Sequence, residues 1–144
     1  MDKYSYIKNL NLEKEIVQII ENDIFLENYS IGEEIFNPET PINKVSIILT
    51  GSVRQISKDS TKNTNIYKYL KNDWLFIPEL IYSLKNSFNY VAANDLELLS
   101  IRKDKFLSLI NENNEFSKWI NNQIFKNEKI LILQKLLKEE FNNN

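Results

Sequence analysis

The chain contains no histidine and no cysteine among its 144 residues. Without these two side chains, zinc, copper and non-haem iron sites lose their usual ligands. The commonest general base and the usual partner of a nucleophilic serine are also missing. These absences argue against an enzyme and against a bound metal or other cofactor, and they favour a binding or regulatory protein. A chain without thiols forms no disulfide, which is compatible with a reducing compartment.

Arginine is also scarce, because Arg54 and Arg102 are the only two in the chain. The 18 basic and 20 acidic residues leave a net charge of −2. A protein without a broad positive field is not expected to bind nucleic acid directly. No apolar run approaches the roughly 18 residues of a membrane span, and the polar start carries no signal-peptide core. The sequence therefore predicts a cytoplasmic chain, or a piece of a larger protein at the cytoplasmic face of the inner membrane.

Hydrophobic periodicity divides the chain into three parts. Residues 12–22 show helical spacing, whereas apolar residues alternate in short segments over residues 24–101. Helical spacing returns over residues 104–141, where Asp104 is predicted to cap the first helix. This order predicts an α+β fold in one domain, residues 1–144. An antiparallel β-roll, like a double-stranded jelly roll, lies between an N-terminal helix and C-terminal helices.

Aromatic residues in the middle of the chain leave two questions open. Tyr67 and Tyr69 lie on the same face of one predicted strand, where they either line the interior of the roll or point outward. Trp74 and Trp119 either stack on a ligand or pack in the protein. Packing is favoured, because it is the commoner role of an isolated tryptophan in an apolar segment.

Three segments resemble the cyclic nucleotide-binding domain of the catabolite-activator type. Residues 29–36, Y-S-I-G-E-E-I-F, are similar to the opening strand and glycine turn of that family. Residues 45–54 contain its I-L-x-G-x-V-R pattern around Gly51. Residues 91–101, followed by Phe106, resemble the last strand of the roll and the start of the next helix. The resemblance implies a β-roll that carries a short ligand-binding helix, called the cassette below.

The cassette departs from the family pattern at two positions. The resemblance implies that an acidic residue holds the ribose and an arginine the cyclic phosphate, and Glu79 matches the acidic residue. Pro78 replaces the preceding glycine and has no N–H to donate. Ser87 stands where the arginine belongs, and Lys85 is the nearest cation. Glu79, Lys85 and Ser87 are thus the candidate ligand residues of a degenerate cassette, and binding of cAMP or cGMP is not expected. The other and preferred interpretation makes Glu79 a solvated acid and Lys85 an ordinary loop lysine.

A narrower resemblance rests on residues 88–93, 106–110 and 115–119. They are similar to the N-terminal cyclic-nucleotide-like domains of bacterial ABC transporters that export toxins or bacteriocins. This implies a regulatory or docking domain of a larger secretion transporter. The alternative is the sensor domain of a catabolite-activator-type transcription regulator, which needs a DNA-binding module. No Gly-rich loop followed by Lys and Ser or Thr is present, so no ATP hydrolysis is expected.

Four apolar residues near the C-terminus repeat at helical spacing: Ile130, Leu133, Leu137 and Phe141. They form one apolar stripe of a predicted long helix. The stripe is predicted to contact the β-roll of its own chain, a second copy in a homodimer, or the remainder of a larger transporter or regulator. The sequence leaves the choice between these partners open.

Overall fold

The computed structural model describes residues 14–58 and 62–126, with the side chains of residues 123–126 left out. Within this part of the chain, helices flank a middle region of eight strands. The elements are α1 (Lys14–Ile20), β1 (Ile24–Tyr29), β2 (Glu34–Phe36), β3 (Lys44–Thr50), β4 (Val53–Lys58), β5 (Asn63–Tyr69), β6 (Trp74–Leu75), α2 (Ile77–Tyr82), β7 (Asn89–Ala92), β8 (Leu96–Arg102), α3 (Lys103–Glu112) and α4 (Asn114–Lys126).

The eight strands form two antiparallel sheets of four strands each. The first sheet has the order β1-β8-β3-β6, and the second has the order β2-β7-β4-β5. One apolar cluster draws side chains from both sheets, including Ile48 and Leu98 of the first and Val53 and Tyr90 of the second. The sheets therefore face each other around a shared interior, and the predicted β-roll flanked by helices is confirmed.

A second apolar cluster joins the helices to the other face of the first sheet. Its largest fully buried helix side chains are Ile16, Ile20, Phe106, Phe116 and Ile120. Trp74 and Trp119 meet edge to face in this cluster, with ring centroids 5.6 Å apart. The packing interpretation of both tryptophans is confirmed. Because the helices cover one face of the first sheet, the interior of the roll lies on the other face.

The start of α3 differs from the prediction. Its N-cap residue is Arg102, which makes no capping hydrogen bond through its side chain. Strand β8 runs directly into the helix, and the backbone N–H of Lys103 donates to the carbonyl of Asn43 at 2.8 Å. The prediction that Asp104 caps this helix is wrong, since Asp104 lies inside the first turn. A carboxylate is favourable there because it faces the positive end of the helix dipole.

Other boundaries shift by a few residues. Helix α1 ends at Ile20, two residues before the end of the predicted helical segment 12–22. The apolar stripe predicted near the C-terminus lies outside the described residues, so its contacts stay a prediction. Its members are Ile130, Leu133, Leu137 and Phe141. Among the helices that the structure does describe, none combines the length and the apolar character needed to cross a bilayer.

Candidate functional site

The segment that resembles the cassette forms the short helix α2 between β6 and β7. Both of its caps have left-handed backbone conformations, with φ of 76° at Phe76 and 52° at Ser83. For a residue other than glycine this conformation costs on the order of 1–2 kcal/mol. The ring of Phe76 packs against Phe36 and Tyr90, at centroid distances of 5.3 and 4.9 Å. Packing inside the roll therefore holds the start of α2 in a strained conformation.

Helix α2 turns its acidic residue inward. Glu79 is only 6% exposed, and its Oε2 accepts a hydrogen bond from Asn86 Nδ2 at 3.0 Å. Burial raises the pKa of the Glu79 carboxyl above its ordinary value, and the hydrogen bond from Asn86 acts in the opposite direction. The interpretation of Glu79 as a solvated acid is therefore wrong. The sequence could not reveal this burial, because a six-residue helix is too short for its periodicity to show which side is buried.

A chain of polar groups runs from the cassette into the roll. Asn86 Nδ2 also donates to the hydroxyl of Tyr90 at 2.6 Å, and that hydroxyl is hydrogen-bonded to Tyr69. Tyr69 in turn donates to Gln55 Oε1 at 3.3 Å. Burial raises the pKa of Tyr90 well above its ordinary value, so the phenol stays neutral. The chain thereby links Glu79 to Gln55 through uncharged side chains.

Asn86 holds the polar chain together, and sequence reasoning missed it. Its Oδ1 accepts the backbone N–H of Phe88 at 2.9 Å, which forms an Asx turn just before β7. An asparagine two residues before the start of an apolar segment is the signal that could have identified it. At the far end, the fully buried Gln55 Nε2 has no hydrogen-bond partner within the described residues.

Aromatic rings fill the interior of the roll beside Glu79. Tyr90 lies 5.8 Å from Phe36 and 6.0 Å from Tyr69, measured between ring centroids. Tyr69 is 4% exposed and meets Tyr67 edge to face at 4.8 Å. Tyr69 therefore lies in the interior, and the half-buried Tyr67 packs against the same apolar cluster.

The three candidate ligand residues line one cavity. It has a volume of about 500 Å³ and lies between the segment of residues 38–42 and the end of α2. Glu79, Lys85 and Ser87 all contribute to its wall, although Lys85 and Ser87 are exposed and Glu79 is buried. The structure thus brings the predicted residues together, and their role as ligand contacts stays a prediction.

No group of three or more acidic side chains in the described part of the chain is placed to hold a metal ion. The absence of a metal, of a cofactor and of catalysis remain predictions from the composition.

Glu79 makes the stability of the fold depend on pH. Its folded pKa is raised, so the proton binds more tightly in the folded state than in the unfolded chain. The stabilisation is complete below the unfolded pKa of about 4.3 and is lost as the pH rises through the folded value. Glu79→Gln keeps an acceptor for Asn86 but carries no charge. We expect it to raise the free energy of unfolding at pH 7.

The measurement is urea unfolding of both proteins between about pH 4 and pH 8. The gain in free energy of unfolding from Glu79→Gln should shrink on acidification. It should vanish at a pH where Glu79 is neutral in both the folded and the unfolded form of the unmodified protein. Glu39→Gln is the matched control, because Glu39 lines the same cavity but is exposed. A difference in the free energy of unfolding between Glu79→Gln and the unmodified protein that does not change with pH would contradict a raised pKa for Glu79.

Two facing antiparallel sheets with a short helix between the sixth and seventh strands define an antiparallel β-roll domain. The protein-family model described as "Cyclic nucleotide-binding domain" matches residues 26–113 of this chain. The chain belongs to the cyclic nucleotide-binding domain family. No curated protein matches the chain in sequence.

Solved structures with the same fold share little sequence with this chain. A CooA variant from Carboxydothermus hydrogenoformans has 18% identity and a TM-score of 0.68, over 94% of this chain and 84% of that one. The c-di-GMP responsive global regulator CLP of Xanthomonas campestris has 14% identity and a TM-score of 0.72, over 89% and 63%. A Thermotoga maritima transcriptional regulator has 19% identity and a TM-score of 0.66, over 80% and 91%. At these identities the likeness establishes the fold alone.

Proposed function

We propose that this domain is a regulatory or docking module whose cassette does not bind cAMP or cGMP. The observation that supports this most directly is the position of Glu79. Its carboxylate is buried and hydrogen-bonded to Asn86, within a cassette packed against the aromatic rings of the roll. A ribose hydroxyl would have to reach a buried carboxyl group and compete there with the Asn86 amide, which already engages Oε2.

The phosphate side of the cassette supports the same proposal. Tight binding of a cyclic phosphate relies on charge-assisted hydrogen bonds, ideally the two parallel bonds of an arginine. The matching position holds the neutral hydroxyl of Ser87, and Pro78 in the first turn of α2 has no N–H. Arg54 lies on β4 and Arg102 at the end of β8, so neither belongs to the cassette.

Isothermal titration calorimetry with cAMP and with cGMP tests the proposal. We expect no heat of binding at micromolar ligand, and no recovery in Ser87→Arg, because Pro78 still removes a backbone donor and Glu79 remains engaged by Asn86. A cAMP-binding regulatory domain of the same family serves as the positive control. Micromolar affinity of the unmodified protein for either nucleotide would contradict the proposal.

For the assembly, we propose that the domain belongs to a bacterial ABC transporter that secretes a toxin or peptide and lies on the cytoplasmic side of the membrane. This rests on the resemblance of residues 88–93, 106–110 and 115–119. The alternative is the sensor domain of a transcription regulator, and the fold that this chain shares with the Thermotoga maritima regulator and CLP is consistent with it. The sequence of the parent protein decides between them. Membrane-spanning segments support the transporter, and a DNA-binding module supports the regulator.

A further inference from the structure

A second cavity, of about 740 Å³, lies at the end of the first sheet, where β1 begins, β8 ends and α3 starts. We call it the sheet-end cavity. Its wall includes Phe25, Glu27, Lys44, Arg102, Lys103 and Leu107. A cavity of this size is in the range that holds a small organic molecule. Glu79, Asn86 and Ser87 do not line it, although Lys103 contributes to both cavities.

A largely buried ion pair lies in the wall of the sheet-end cavity. The side chains of Lys44 and Glu27 are 17% and 20% exposed. Lys44 Nζ donates to Glu27 Oε2 and, at 3.1 Å, to the hydroxyl of Tyr29. Ser100 Oγ donates to the other carboxylate oxygen of Glu27 at 2.6 Å. The ammonium of Lys44 balances the negative charge of Glu27, and both carboxylate oxygens are already engaged by neighbouring side chains.

Two further cations reach the cavity from the junction of β8 and α3. Arg102 and Lys103 are exposed, and neither side chain forms a hydrogen bond or an ion pair with the described side chains of residues 14–58 and 62–122. The guanidinium plane of an arginine matches a carboxylate or a phosphate with two parallel hydrogen bonds. Among the described residues of the wall, Asp104 is the one acid beside Glu27. Lys44 balances the charge of Glu27. Two cations of the wall, Arg102 and Lys103, then face the single negative charge of Asp104.

Apolar side chains complete the wall. Phe25 and Leu107 are partly exposed and come from β1 and α3. An aromatic ring and a leucine offer a surface for the apolar part of a ligand, while the cations orient its charged part. We propose that the sheet-end cavity binds a small organic anion, a carboxylate or a phosphate on an apolar body, through Arg102 and Lys103. This site goes beyond the proposed function and does not depend on it.

Two-dimensional NMR of ¹⁵N-labelled protein tests the site with three probes of similar shape. Benzoate and phenyl phosphate carry the two anionic groups, and benzamide is the neutral counterpart. We expect saturable shifts of amide signals from Phe25, Asn43 and residues 102–107 with at least one anion, and none with benzamide. A response to benzoate alone identifies a carboxylate ligand, and a response to phenyl phosphate alone identifies a phosphate.

Matched variants separate the cavity from general surface charge. Arg102→Gln and Lys103→Gln should each weaken anion binding about tenfold or more, because each removes a charge-assisted bond. Arg54→Gln and Lys105→Gln remove the same charges at exposed positions elsewhere and should leave the affinity unchanged.

Three outcomes would overturn the site: no saturable shift at about 10 mM of either anion, equal shifts with benzamide, or equal losses in the control variants. Failure here is distinguishable from failure of the proposed function, since a nucleotide in the cassette would shift Glu79 and Asn86 instead.

Discussion

Gly51→Ala is expected to destabilise the fold by about 3 kcal/mol or more, through strain and a steric clash together. Gly51 connects β3 to β4 with φ of +90°. A Cβ atom there would overlap the carbonyl oxygen of Asp95 and lie 3.0 Å from Cα of Leu96. It would also lie 2.8 Å from Asn94 Oδ1, which accepts the N–H of Ser52. The backbone therefore has to move before a methyl group fits.

The other glycine of the chain is a matched control. Gly32 has a similar φ of +86°, but a Cβ built on it would meet nothing within 4 Å. We expect Gly32→Ala to cost only the conformational penalty, about 1–2 kcal/mol. Urea unfolding followed by tryptophan fluorescence measures both variants. Equal losses would show that the contact with Asp95 does not decide the stability of the turn.

Tyr90→Ala is expected to lower the free energy of unfolding by about 3–5 kcal/mol, the usual cost of truncating a buried aromatic ring. Tyr90 is 1% exposed and contacts Phe36, Phe76 and Tyr69 through its ring. Tyr90→Phe keeps those ring contacts but removes the hydroxyl that joins Asn86 to Tyr69. We expect it to cost about 1 kcal/mol.

Tyr82→Ala provides the comparison for the truncation at position 90. Tyr82 is 55% exposed at the end of α2, and its loss should change stability by no more than about 0.5 kcal/mol. Chemical denaturation of all three variants tests the set. A cost for Tyr90→Ala no larger than that for Tyr82→Ala would mean that the rings do not fill the roll as described.

The positions of the strands followed from local pattern. Alternating apolar residues across residues 24–101 located the roll, because a strand half buried in a sheet exposes every second side chain. Gly51 was marked by its place in the family pattern, and the structure supplies the reason in the approach of Asp95. The start of α3 was less predictable, since Asn43 satisfies the first backbone N–H from a distant part of the chain.

Composition and motif order by themselves determined that the chain has neither histidine nor cysteine chemistry, that it forms a β-roll, and that its cassette lacks the arginine. Only the tertiary structure decided that Glu79 is buried against Asn86 and that Arg102 reaches the sheet-end cavity. The physical reason is sheet topology. Strand β8 lies between β1 and β3, so residues far apart in sequence, such as Glu27 and Ser100, become neighbours. Periodicity reports which face of a strand is buried, and long-range register decides what that face meets.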